Sequence, residues 1–533
     1  MSNSAQTLGH AARANRENTG VNFARDIVDA SPSERLALVE LARDGSRREW
    51  SFGEIAARSA RLAGTLQQLG VSRGDVVMTL VGNRPEWVQS MVACFRIGAV
   101  VLPCTEQLRA KDLRMRIDTV DPALIIADER NREELEAALT GASTSIAVAY
   151  VPDESLFAAE PVAAVELGDD EPCLITFTSG TAGEPKAVVH AQRYLDGQRV
   201  QAEHWLGARE GELVWCTAAS GWSKSARNVF IAPWLSGATA LLHDARFDPH
   251  ERLELLERER VSLLCMAPTE YRVIAKRATL RPLPHLRGMV AAGEALNPEV
   301  LRAWHEATGL EIRDGYGQTE TGQTTGTPLG IDARPGSMGR ALPGMRLAIV
   351  EGELTVDPAS VPTFFLGYLG EHVQRDHAGA WSVEDRRAMG PWRTGEHLLA
   401  EVAEEERRHA FRIHRQLARD DGHADTRQRP AHRARPCVEV KRRAVRLAGL
   451  GLPVAIADLK PGGRLPDAQH LRVERLTRCH HRAQRRQRAQ GRALGDHPVL
   501  GRRHAQNVDG LALQQRQALL GVKARIVQQR RRS

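Results

Sequence analysis

Several features that would each have assigned this 533-residue chain to a class are missing from it. Its seven cysteines, at positions 94, 104, 173, 216, 265, 437 and 479, include no C-x-x-C pair. That argues against a disulfide framework or a zinc site and reads as reduced, structural thiols. No run of about 18 apolar residues occurs, and Met1-Ser-Asn-Ser-Ala-Gln lacks a basic segment followed by an apolar one. A soluble, cytoplasmic protein is the expectation. A glycine- and hydroxyl-rich stretch around residue 180 has neither Gly-Lys-Ser/Thr opening a helix nor G-x-G-x-x-G. After Phe411 the remaining 122 residues contain no Phe, Tyr or Trp.

The net charge of +7 conceals two compositions. Residues 411–533 carry 29 Lys+Arg against 9 Asp+Glu, a net of +20, which leaves −13 for residues 1–410. A tail rich in Arg, Ala, Gln and His cannot readily bury enough apolar area to offset chain entropy, so 397–533 is expected to be poorly ordered. A degenerate or out-of-frame C-terminal region fits this composition. The functional alternative, a basic arm for nucleic acid, is disfavoured because no aromatic is present to stack bases.

The first part of the chain alternates helical and strand patterns. Ser51-Phe52-Gly53-Glu54 is a capping box before an apolar-periodic helix that ends at Gly70. Strand patterns at Val76 to Val81, Ala99 to Pro103 and Ala123 to Ala127 alternate with helical ones from Pro85, Leu108 and Arg130. Later strand patterns lie at Leu213 to Thr217, Ala238 to Leu242, Ser262 to Met266 and Gly288 to Ala292. Repeated β-then-α order predicts a largely parallel, doubly wound α/β sheet, which binds ligands at the connections leaving its strand ends.

One of those connections organises the rest. Leu174 to Phe177 and Ala187 to Val189 read as strands around Thr178-Ser179-Gly180-Thr181-Ala182-Gly183-Glu184-Pro185-Lys186. Hydroxyls, glycines and a lysine suit backbone N–H groups and a point cation closing on a polyphosphate. Gly180 and Gly183 let the backbone approach an anion, and Pro185 stiffens the arm carrying Lys186. The pattern Thr-Ser-Gly-Thr-x-Gly-x-Pro-Lys resembles the signature loop of the adenylate-forming (AMP-binding) superfamily, which includes acyl-CoA synthetases, luciferases and peptide-synthetase adenylation domains.

Three further stretches carry the resemblance. Ser-Gly221-Trp222-Ser-Lys-Ser, with Ala-Pro-Trp-Leu-Ser-Gly-Ala at 232–238, looks most like medium-chain acyl-CoA synthetases. Trp222 is there either a substrate contact or a core aromatic. Gly293-Glu294-Ala295 resembles the family's adenine-packing turn. Asp314-Gly315-Tyr316-Gly317-Gln318-Thr319-Glu320-Thr321 matches its Tyr-Gly-x-Thr-Glu signature, about 130 positions beyond the loop. Residues 321–396, with short β-rich runs, resemble its small β-barrel subdomain. There Thr394-Gly395-Glu396 stands where the family has Thr-Gly-Asp, one methylene longer for a ribose contact.

The resemblance covers about residues 20–396. It implies a large adenylation domain, 1–396, made of α/β subdomains 1–175 and 176–320 plus the β subdomain 321–396. It also implies an acid–thiol ligase that forms an acyl-adenylate from a carboxylic acid, of the fatty type, and Mg²⁺·ATP, then passes the acyl group to coenzyme A. In that reading Thr178, Ser179, Gly180, Thr181, Gly183 and Lys186 hold phosphates, and Thr319 and Glu320 serve the α-phosphate. Thr181 and Glu320 bind the metal. Gly293, Glu294, Ala295, Asp314, Gly315, Tyr316 and Gly317 surround the adenine, Glu396 the ribose, and Trp222 the acid. Beyond 397 the family's Gly-Tyr-Arg-Ile-Gly stretch and its near-terminal Ser-Gly-Lys are not legible. A catalytically inactive nucleotide- or acyl-binding protein, an adenylating enzyme with another acceptor, and a phosphate-loop ATPase or kinase remain the alternatives.

Overall fold

A computed structural model describes residues 20–141, 146–178, 184–294, 296–376, 379–384, 387 and 390–397, the side chains of 396 and 397 excepted. Ser179, Gly180, Thr181, Gly183, Ala295, the Glu396 side chain and the tail beyond 397 therefore lie outside the described residues.

A hairpin of β1 (Leu36–Leu41) and β2 (Arg47–Ser51) opens the fold. Ser51 then caps the helix Phe52–Gln68, accepting from the Glu54 amide while the Glu54 carboxylate accepts from the Ser51 amide. β3 (Val76–Leu80), β4 (Val100–Cys104), β5 (Leu124–Asp128) and β6 (Ala147–Val151) alternate with helices Pro85–Ile97, Ala110–Val120 and Arg132–Leu139. β7 (Pro172–Phe177) and β8 (Ala187–Ala191) flank the glycine-rich loop. β9 (Leu213–Cys216), β10 (Thr239–His243), β11 (Leu263–Met266), β12 (Gly288–Ala292) and β13 (Ile312–Gly315) follow, with helices Pro249–Arg258, Pro268–Arg277 and Pro298–Thr308 between the later ones.

The strands then shorten. β14 (Gly317–Gln318) pairs with β15 (Gly322–Gln323), and β16 (Thr325–Gly326) with β17 (Arg340–Ala341). β18 (Leu347–Val350) and β19 (Glu353–Val356) precede β20 (Gly367–Tyr368), β21 (Val373–Arg375), β22 (Trp381–Val383) and β23 (Trp392–His397). The part expected to be a small β-barrel contains, among the described residues, the antiparallel sheet β18-β19-β23 and two-stranded ribbons.

Two seven-stranded sheets dominate, in the orders β20-β8-β7-β4-β3-β5-β6 and β13-β12-β11-β9-β10-β1-β2. Each is parallel except at one end, where β20-β8-β7 in the first and β1-β2 in the second pair antiparallel. Sheet membership departs from the expected division at residue 175. β1 and β2 join the second sheet, and β8 with the late strand β20 joins the first. Leu36-Ala-Leu-Val-Glu-Leu has no clear period-2 pattern, and pairing with β10 decides its conformation.

Alternate residues of the inner strands face different cores. Val77, Val101, Leu124 and Ile126 of the first sheet share one buried cluster with Val214, Ala240, Leu263 and Val290 of the second. Val76, Met78, Val100 and Ile125 face a separate cluster, as do Trp215, Leu241, Leu264 and Met289 on the far side of the second sheet. The shared layer brings together the ends from which both sheets send their connections. Asn83, just past β3, donates to Ala218 O (3.1 Å) and accepts from the Ser220 amide (2.9 Å). Gly221, at φ 85, lies so close to β4 that a Cβ would sit 2.3 Å from the Thr105 nitrogen. Arg130 adds ion pairs to Asp128 (2.5 Å) at the end of β5 and to Asp244 (3.0 Å) just after β10.

Candidate functional site

The glycine-rich loop is closed at its neck. The Thr178 amide donates to Lys186 O (3.0 Å), and the Lys186 amide donates to Thr178 Oγ1 (3.0 Å). The Thr178 hydroxyl oxygen thus braces the loop, where the motif reading would have it hold phosphate. The chain leaves this neck at Ala187, so the Lys186 side chain is set by β8.

Lys186 meets the Tyr-Gly-x-Thr-Glu segment through a third element. Its ammonium lies 4.6 Å from the ring centroid of Tyr368 and 2.6 Å from Glu371 Oε1. The Tyr368 hydroxyl donates to Glu320 Oε1 at 2.8 Å. Glu320 is buried, and its carbonyl accepts from the Phe365 amide (2.8 Å). Thr319 precedes it, half-buried. Lys186 and Glu320, distant in sequence, are therefore joined through one tyrosine.

Tyr316 is fixed by its backbone, which exchanges hydrogen bonds with Thr324 and Thr325. Gly315 and Gly317 are required by space: a Cβ would sit 2.3 Å from Gln323 Nε2 at the first and 2.0 Å from Gly322 O at the second. Gln318 reaches β23, donating to Thr394 O (2.8 Å) and accepting from Trp392 Nε1 (3.0 Å). The Thr394-Gly395-Glu396 backbone is thereby tied to the Tyr316 segment.

Asp314 is held close to its own turn, where Oδ1 accepts from the Gly315 amide (2.8 Å). Burial pushes its carboxyl up to about 7, against the lowering effects of that hydrogen bond and of Lys224. Lys224 is itself shifted down, first by burial and then by Arg227. Its ammonium donates to Ala292 O (2.5 Å) and occupies the space beside Gly293. Glu294 turns outward, accepting from the Thr269 hydroxyl (2.7 Å), so any adenine contact at this turn falls to its backbone. Trp222 is 54% exposed, which removes the core alternative for that residue.

Sequence reasoning assigned no role to Lys224, Tyr368 or Glu371. Lys224 stands in the Gly221 to Ser225 stretch, where its charge was a signal. Tyr368 had no local signal pointing to Glu320, because β20 joins β8 across about 180 residues of chain. Glu320 supplies the kind of hard carboxylate oxygen that Mg²⁺ prefers, held in place where its Oε1 accepts from the Tyr368 hydroxyl.

The model for the AMP-binding enzyme family matches residues 25–369, which contain Thr178 to Lys186, the Gly293 turn and Tyr316 to Glu320. The chain belongs to this family. Among curated members it is 33% identical to the mitochondrial acyl-coenzyme A synthetase ACSM4 of Homo sapiens over 360 residues, covering 63% of this chain and 62% of that protein. It is 32% identical to the uncharacterized acyl-CoA ligase YtcI of Bacillus subtilis over 342 residues, 61% and 64% of the two chains. The chain thus matches less than two thirds of the length of these relatives. A crystal structure of a Brucella canis acyl-CoA synthetase superposes with a TM-score of 0.62 at 27% identity, covering 71% of this chain and 72% of that one. An anthranilate CoA ligase, AuaEII, crystallised with anthranoyl-AMP, shares the fold at 22% identity with a TM-score of 0.61, over 69% and 78% of the chains. This AMP-binding enzyme is therefore an α/β adenylate-forming fold over its described residues. Among them no helix is long and apolar enough to cross a membrane.

Proposed function

We propose that the protein is an ATP-dependent acid–thiol ligase. It would join a carboxylic acid to AMP with release of pyrophosphate, then transfer the acyl group to coenzyme A with release of AMP. The observation that carries this reading is the convergence of Lys186 and Glu320 on Tyr368, since it gives one site both a phosphate cation and a metal carboxylate. Family membership and the acyl-CoA synthetase names of its relatives support the same conclusion.

Catalysis of adenylation needs no covalent protein nucleophile. It needs the acid oxygen held in line with the α-phosphorus and charge on the phosphates neutralised. In our reading Lys186 and the amides of residues 179–183 neutralise the β- and γ-phosphates, with Thr319 at the α-phosphate. Mg²⁺, when bound, adds charge neutralisation at the phosphates, and Glu320 with Thr181 would hold it. Tyr316 and the Gly293 backbone face the adenine, Asp314 is in reach of its edge, and Glu396 contacts the ribose. We assign the nucleotide and acid sites to residues 1–396 and the acid to a medium-length fatty acid, with Trp222 at its entrance.

Carboxylate-dependent ATP–pyrophosphate exchange is the direct test. Exchange that requires both the acid and Mg²⁺ is the expected result, and release of ADP in place of AMP and pyrophosphate would assign the chain to kinases or ATPases instead. Binding of ATP with no exchange for any acid would favour the second reading, a nucleotide-binding protein without ligase activity.

A further inference from the structure

The segment Phe365 to Glu371 lies outside every motif that defines the nucleotide site, yet it touches both charged ends of that site. We propose that Tyr368 is a positioning residue for the Glu320 carboxylate and the Lys186 ammonium, so that the metal ligand and the phosphate cation are placed by one side chain. The proposal rests on the nucleotide reading above and adds a residue to it.

Backbone pairing sets the height of the ring. β20 is antiparallel to β8, with Gly367 opposite Val189 and Tyr368 opposite Val188, two residues beyond Lys186. Leu366 and Leu369 extend the pairing, their amides donating to Val189 O (2.8 Å) and Ala187 O (2.9 Å). Gly367 is needed for this approach, since a Cβ there would fall 2.6 Å from the His372 Cβ. The ring is then packed edge-on by Phe365 at 5.1 Å, whose own amide is bonded to the Glu320 carbonyl. Tyr368 is thus anchored at one side to the strand that follows Lys186 and at the other to the residue it serves.

The two contacts differ in kind. A hydroxyl that donates to a carboxylate is a charge-assisted bond that fixes the plane of the group and leaves its second oxygen for a cation. A ring face 4.6 Å from an ammonium attracts it without consuming its N–H donors. Glu371 takes one of those donors through a half-exposed pair, a weak contact that a polyphosphate can displace. The arrangement holds Lys186 near its working position and leaves it free to change partner.

The test is thermal stabilisation by ATP, measured while Mg²⁺ is titrated, for the full chain and for Tyr368→Phe and Tyr368→Leu. Phe keeps the ring over Lys186 and loses the bond to Glu320. Its half-maximal Mg²⁺ concentration should rise about tenfold, as for lost outer-shell partners of metal ligands. Its apparent ATP affinity at saturating Mg²⁺ should stay near that of the parent. Leu should show the same metal defect and a weaker ATP affinity as well. A Tyr368→Phe protein that melts lower without ligand but keeps its Mg²⁺ midpoint would show a packing role only and overturn the proposal. If the parent chain itself gains no Mg²⁺-dependent stability from ATP, the nucleotide reading falls, and this proposal falls with it.

Discussion

The ammonium of Lys224 lies 2.5 Å from the carbonyl oxygen of Ala292, at the end of β12. The next residue, Gly293, has φ 98, and a Cβ there would sit 1.9 Å from the same nitrogen. The backbone conformation calls for glycine, and a Cβ would also push the Lys224 ammonium from its place. Gly293→Ala should therefore displace Lys224 and strain the turn, a cost of order 1–3 kcal/mol for the backbone alone. The expected outcome is a lower melting temperature and weaker ATP binding. A variant with parental stability and ATP affinity would show that the turn relaxes freely.

Asp314 makes a pH-dependent contribution with a definite sign. Burial pushes its carboxyl up to about 7 in the folded protein, from an ordinary value of 3.8. Between these values the folded chain holds a proton that the unfolded chain has lost, so stability falls as pH rises from about 4 through 7. Below the lower value this contribution is fully favourable. Asp314→Asn preserves the acceptor for the Gly315 amide and removes the titration. It should be more stable than the parent at pH 8, by at most on the order of 4 kcal/mol, and indistinguishable in slope below pH 4. Denaturation midpoints measured from pH 4 to 8 check this, and parallel curves for the two proteins would contradict it.

The parts of this fold legible in the sequence were those whose signal is local. Ser51 and Glu54 announce a capping box and form one, and the strand Gly288–Ala292 begins and ends where its pattern does. The strands flanking the glycine-rich loop were likewise readable, because their apolar runs are local, whereas the brace between the Thr178 hydroxyl and the Lys186 amide was not. Sheet membership was not. Leu36 to Ser51 reaches the second sheet, and Gly367-Tyr368 the first, through hydrogen bonds across long separations that leave no local periodicity. Tyr368 was missed for the same reason, and Lys224 because a lysine in a connection does not say which carbonyl it will reach. Trp222 could be read as core or surface from residue type alone, and only packing decided it.

Glu320 provides the sharpest test of the site as a whole. Its carboxylate is buried and bonded to Tyr368, and in our reading it is the metal ligand. Glu320→Ala should abolish Mg²⁺·ATP-dependent thermal stabilisation, because a ligand raises apparent stability only in proportion to its binding. Persistence of the full parental shift at saturating ATP would move the metal elsewhere.

The acid is the least constrained substrate, and chain length is the measurement that defines it. On the proposed reading the slot beyond Gly221 to Gly237 is apolar, and each methylene it removes from water contributes roughly 0.8 kcal/mol. Apparent affinity in ATP–pyrophosphate exchange should then rise about three- to fourfold per added carbon, as that increment dictates. The rise should stop abruptly when the slot is full, since an interior packed to native density cannot admit one more methylene cheaply. The carbon number at which it stops gives the depth of the pocket. Preference for acetate, for aromatic acids or for amino acids would overturn the fatty-acid assignment while leaving the adenylation reading in place, because the phosphate and metal groups act on the carboxylate whatever chain it bears.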